Sequence, residues 1–267
     1  MKTLKDFLTV IDAQTLIVSV LAIGSTYLCL RYGLMADIPT GLIGLAVVFP
    51  IVFSINTAYK RREAALRYFA SLKAHAMSLY FAHRDWAPED GEATSAHRNS
   101  EHRDRVRGLI EELLTSLGQY LAKDGRTAKH LRAMFDVFSR LSTSHEALRA
   151  AKVPPNEISR ANQYLSKIIT DFERMRNIAE YRTPVSLRAY SVVFLNVFPV
   201  AFGPYFATLC TKNEAFPSVG YVVAVIYSLV LVSLDNIQEH LEDPFDNIGT
   251  DDINLNVLDE YRDVLAL

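Results

Sequence analysis

The sequence predicts an all-α membrane protein, with four transmembrane helices in two pairs around a cytosolic helical domain. Three observations predict it. Four apolar runs lie toward the chain ends: Leu16–Leu34 carries one charge (Arg31), Ile38–Ala58 none, Val185–Thr211 only Arg188, and Pro217–Leu234 none. A bilayer core about 30 Å thick is crossed by ~20 apolar residues in a helix, and each run meets or approaches that length. The stretch 59–184 is too polar to span a membrane, and its apolar residues recur at helical intervals. The expected organisation is an N-terminal segment with two spans (1–58), a cytosolic helical domain (59–184), two further spans (185–235) and an acidic cytosolic tail (236–267).

Charge sets the expected orientation. The loops Met35–Asp37 and Lys212–Phe216 are short, and if they face outward, all 28 Lys and Arg except Arg31 and Lys212 lie inside. Lys60, Arg61, Arg62 and Arg67 follow the second run directly, as the positive-inside rule requires. Both termini are therefore expected in the cytoplasm. The first run is too long for a signal-peptide core and is expected to stay in the protein. A formal net charge of −2 excludes the basic surface of a general nucleic-acid binder. Cys29 and Cys210 have no Cys or His at metal spacing and read as small buried apolar residues, with no disulfide framework.

The elements follow in order. No Pro or Gly interrupts Asn56 to His83, so the second span is expected to continue as one long helix, with Leu66, Phe69, Ala70, Leu72, Met77 and Tyr80 on its core side. Trp86-Ala87-Pro88-Glu89-Asp90-Gly91 stops it, and a polar loop is expected to about Ser100. A helix over 101–122 places Val106, Ile110, Leu113, Leu114, Leu117 and Leu121 on one face. The next, over 127–151, does the same with Leu131, Met134, Phe135, Phe138 and Leu141. Pro154-Pro155 breaks the pattern and starts a helix over 156–180. In the third span, Pro199, Gly203 and Pro204 are expected to kink or break the helix, leaving carbonyls in need of partners. Leu255, Leu258, Tyr261 and Leu265 suit a short final helix, or a strap across a neighbour.

No catalytic pattern is present: there is no Gly-rich phosphate loop, GxSxG, HExxH or Cys/His cluster, so an enzyme is not expected. His97 and His102 read as solvated. The feature with functional content is the second span, where Leu45, Phe49 and Phe53 lie four apart and stack on one helix face. That face either packs against a neighbouring helix or lines a pore. A constricted apolar ring gates by dewetting. One four-span subunit has little room for a pore, so the second reading requires identical copies around an axis.

Phe53-Ser54-Ile55-Asn56-Thr57-Ala58-Tyr59-Lys60-Arg61-Arg62-Glu63-Ala64 resembles the end of the second span in bestrophins and their bacterial homologues, although the family's Trp pair is absent. Asp243-Pro244-Phe245, followed by Asp251-Asp252-Ile253, resembles the segment after the family's last span. Pro155 and Pro184 resemble the prolines bounding its last cytosolic helix. The resemblance covers almost the whole chain. It implies a homopentameric ion channel of a bacterial inner membrane, passive, with a cytosolic vestibule and an axial pore. Counting back from Arg61 places the family's neck residues on Leu45, Phe49 and Phe53. The family's cytosolic aperture falls near Asn156, a polar departure, with Ile158 as the apolar substitute. Animal members hold calcium in an acidic clasp for which Asp251 and Asp252 are the nearest candidates. The dense acidic run is absent, so no cofactor is expected. The partners implied are the lipid bilayer, further copies of the chain and permeant ions with chloride favoured. A cation-selective channel of the same fold and a non-conducting membrane-anchored scaffold remain as alternatives.

Overall fold

A computed structural model of the chain describes residues 12–37, 39–86, 93–181, 185–213, 215–247 and 252–265. Among these, regular structure is entirely helical: α1 Ala13–Tyr32, α2 Thr40–Asp85, α3 Ala93–Leu121, α4 Ala128–Ala150, α5 Pro155–Glu180, α6 Val185–Ala201, α7 Gly203–Lys212, α8 Val219–Glu242 and α9 Leu258–Leu265, with a 3₁₀ turn at Lys123–Gly125. The chain divides into two compact units, Met1–Lys60 with Arg182–Glu242 and Arg61–Tyr181 with Asp243–Leu267.

Among the described residues of the first unit, three segments are long and apolar enough to cross a membrane: Ala13–Tyr32, Val192–Lys212 and Val219–Glu242. The apolar run expected as the second span is the first part of α2, the 46-residue helix Thr40–Asp85. α1 starts because Asp12 accepts from the Thr15 N–H, and it ends at Gly33, whose φ of 68° is a left-handed cap. The third span is broken at Phe202, where α6 gives way to α7. Pro204 has no N–H to offer the carbonyl four residues back, and the Ser25 hydroxyl donates to that Val200 carbonyl at 2.8 Å. Gly203 is required beside it: a Cβ there would lie 2.2 Å from Ser25 Oγ. Phe194, Phe198, Phe202 and Phe206 carry a ladder of ring contacts through the break, joined by Tyr227 of α8. α8 continues past Leu234, where the apolar run ends, to Glu242, because nothing in Asp235–Glu242 breaks helical geometry and Asn236, Gln238 and Glu242 are buried.

The second unit has one continuous core. The part of α2 after Lys60 contributes Ala65, Phe69, Leu72, Ala76, Leu79 and Tyr80, and α3 contributes all six of its expected residues. Leu66 and Ala70 of α2 and Phe135 of α4 are exposed, correcting their expected burial. The core stripe of α2 is rotated toward small alanines, which let the helices approach closely. α3 begins at Ala93, well before the expected Glu101, so the polar segment before Ser100 is helical rather than loop. Thr127 caps α4 by accepting from the His130 N–H, and Pro155 occupies the first turn of α5. Lys152, with φ of 57°, forms the left-handed cap after α4.

The tail packs on its own chain. Phe245, Ile253, Val257 and Leu265 are buried in the second unit's core, and Tyr80 Oη donates to the Leu265 carbonyl at 2.9 Å.

Candidate pore face and its supporting helices

α2 presents two different faces within the first unit. Ile51, Ser54 and Ala58 are buried, with Ile51 clustered against Leu195 of α6 and Leu231 of α8. Phe49 and Phe53 point away from that packing: they are 56% and 58% exposed, and touch one another with ring centroids 5.5 Å apart. Leu45 lies in the same helix one turn earlier, with its side chain outside the described residues. The exposed face is apolar and uncharged, and this chain leaves it uncovered at Phe49 and Phe53. Two large aromatic surfaces left in water would be costly, at about 25 cal/mol for each Å² that burial removes. Such a face therefore calls for lipid, another subunit or a narrow, poorly wetted lumen.

Asn156 and Ile158 sit in the first turn and a half of α5. Asn156 is exposed and directed at Glu157, while Ile158 is half-buried and packs against the core. The two positions are thus adjacent in chain but divided in environment, and the outward side chain is the polar one. Asp251 lies outside the described residues, and Asp252 is half-buried. Among the described residues, no group of three or more His, Cys, Asp or Glu is arranged to hold a metal ion.

The two motif segments have clear structural roles. Arg61 Nη2 donates to the carbonyls of Ile178, at 2.8 Å, and Tyr181, so it caps the C-terminus of α5. Cations at helix C-termini complement the dipole, and here the cap ties the start of the second unit to the end of its last helix. Asp243 receives Arg126 through an ion pair of 2.7 Å and a hydrogen bond of 2.8 Å. The same guanidinium donates to the Leu121 carbonyl ending α3 and the Ala179 carbonyl near the end of α5. Phe245 then inserts fully into the core and the Pro244 carbonyl accepts from Ile253 at 2.9 Å. Asp-Pro-Phe is therefore the anchor of the tail. Nearby, Tyr120 donates to Glu180 at 2.6 Å, and burial with this bond raises the phenol to about 12.

A cluster not foreseen from the sequence joins the ends of three helices. His83 of α2 lies 2.9 Å from His102 of α3, and its ring centroid is 5.2 Å from that of His145 of α4. His102 is half-buried and hydrogen-bonded, which corrects its reading as a solvated residue. Burial first, then His102 and His145, push His83 down to about 3. No local sequence signal marks this group, because the three histidines are brought together only by helix packing.

No protein-family model matches the chain, and no curated protein is similar to it in sequence. Solved structures are similar in fold. A variant of a bacterial bestrophin homologue from Klebsiella pneumoniae superposes with a TM-score of 0.73 at 18% identity, covering 99% of this chain and 97% of that one. Another structure of that homologue gives 0.73 at 18% identity, covering 94% and 95%. A membrane protein variant gives 0.74 at 19%, covering 100% and 97%. The resemblance seen in short motifs thus extends to the tertiary structure along nearly the whole chain.

Proposed function

We propose that this chain, which carries the fold of the bacterial bestrophin homologues, is the subunit of a homopentameric ion channel of a bacterial inner membrane. Leu45, Phe49 and Phe53 form its apolar neck. The observation that carries the reading is the division of α2: Ile51, Ser54 and Ala58 are buried, while Phe49 and Phe53 are exposed. Cyclic symmetry brings identical copies of that face together around one axis. A ring of phenyl groups narrows the lumen, and a constricted apolar lumen loses its water, which closes the path to ions without a charged gate. Conduction is passive. The permeant ions are assigned as anions, chloride foremost, on the reading that the weakly positive edges of the neck rings, rather than their negative faces, line the lumen. Asn156 and Ile158 are assigned to the cytosolic aperture. Both termini are assigned to the cytoplasm.

The test is single-channel recording of purified protein in planar bilayers under a salt gradient, for wild type and Phe53→Ala. The expected result is a current reversing near the chloride equilibrium potential, with altered conductance or open probability in the variant. Reversal near the cation potential keeps the channel and overturns the anion assignment. Pentameric protein that stays silent across pH and calcium overturns conduction and leaves the membrane-anchored scaffold.

A further inference from the structure

We propose that His83, His102 and His145 form a proton-operated switch in the helical bundle of the second unit, whose protonation releases Val153 and the first turn of α5, Pro155–Ile158. The hydrogen-bond roles in the cluster are determined by its surroundings. The Ser144 hydroxyl gives its one proton to the Leu141 carbonyl at 2.6 Å, so its oxygen accepts from His83 Nε2 at 3.3 Å. That leaves His83 Nδ1 as a lone pair, and His102 Nε2 donates to it at 2.9 Å. His145 Nδ1 faces the Leu141 and Ser142 carbonyls, each at 3.0 Å. Carbonyls only accept, so Nδ1 carries the proton and Nε2 is a bare lone pair, buried and without a hydrogen-bond partner. Three neutral imidazoles satisfy this arrangement, and an added proton makes a buried cation.

The charged surroundings do not welcome that cation. The groups acting on His83 are His102 and His145, and those acting on His102 include Arg105 and His145, all positive when charged. Glu146 and Arg149, on the same turns of α4 as His145, form an exposed ion pair with each other. His145 also lines a cleft of about 630 Å³ together with Val153, Pro155, Ile158 and Asn162. His145 and the α5 start thus share the walls of one cleft, and Lys152, directly after α4, holds a left-handed turn between them. His83 anchors the end of α2 in the same cluster, so the switch loosens three helices at once. Its consequence for conduction rests on the proposed aperture at Asn156 and Ile158; its structural action does not.

The test is hydrogen exchange with mass spectrometry on the full chain in detergent, at pH 7.5 and pH 5.0, corrected for intrinsic exchange rates. A group held near 3 when buried and near 6.5 when released favours the released form about thirtyfold more at pH 5.0 than at pH 7.5. Wild type is expected to lose protection by about that factor in peptides covering 80–86, 100–104 and 141–158. His83→Gln is expected to show little acid response, and His83→Asn serves in its place if that variant is poorly folded at pH 7.5. Unchanged wild-type protection at pH 5.0, or an acid response equal to wild type in the well-folded His83 variant, overturns the switch. The exchange readout needs no current, so its failure is distinct from failure of the channel assignment.

Discussion

Replacing Arg126 by Met tests what holds the tail to the helical bundle of the second unit. The guanidinium pairs with Asp243, whose side chain is 4% exposed, and serves the carbonyls of Leu121 and Ala179. Removing one partner of a buried ion pair costs about 3–5 kcal/mol, because the other charge is stranded. The two carbonyls lose a further ~1 kcal/mol each. Arg126→Met is therefore expected to cost about 5–7 kcal/mol. Asp243→Asn is milder, at about 1.5–3 kcal/mol, since the arginine keeps two backbone acceptors and the amide oxygen still accepts. In the double variant the penalties overlap, with a coupling of at least ~1 kcal/mol. The assay is denaturant unfolding in mild detergent followed by the single tryptophan, Trp86, which packs against the same core. Limited proteolysis would show the tail released in Arg126→Met. Equal losses below about 1 kcal/mol for both single variants, or strictly additive losses, would refute the anchor.

Three further outcomes are expected. Gly203→Ala places a Cβ 2.2 Å from Ser25 Oγ and 3.1 Å from the Ser25 carbonyl carbon, so thermal unfolding should reveal a loss of about 1–3 kcal/mol that Ser25→Ala relieves only in part. Lys152→Gly removes a side chain from a left-handed cap and should raise the denaturation midpoint by about 0.5–1 kcal/mol equivalent, whereas unchanged stability would mean the cap carries no strain. His83 is depressed from 6.5 to about 3, so its unfolded form binds the proton more readily; its contribution is complete above about pH 6.5 and lost as pH falls toward 3. At pH 5 the loss is about 2 kcal/mol, and unfolding measured from pH 7.5 to 5 should flatten in His83→Gln.

The helical architecture was legible because length, apolarity and helix punctuation are local properties. The four runs, the Pro154-Pro155 restart and the break around Gly203 and Pro204 all act over a few residues. The start of α3 was misjudged because polar residues near Ala93 suit an exposed helix as well as a loop. The core side of α2 was misjudged at Leu66 and Ala70 because burial depends on how a helix is rotated against its neighbours, which its own sequence does not state. For the candidate pore face, four-residue spacing aligned Leu45, Phe49 and Phe53 on one side of a helix, but spacing is the same for a packed and an unpacked face. Tertiary packing of Ile51, Ser54 and Ala58 left Phe49 and Phe53 outward.

Sequence alone determined that this chain is helical, that its apolar runs are long enough for a bilayer, and that one helix carries a stacked aromatic face. Those follow from periodicity and the hydrophobic cost of exposure. Tertiary structure alone decided that Arg126 meets Asp243, that the tail folds back onto its own bundle, and that His83, His102 and His145 converge. The physical reason is distance in the chain. These partners are 19 to 185 residues apart, and only helix packing determines which side chains meet.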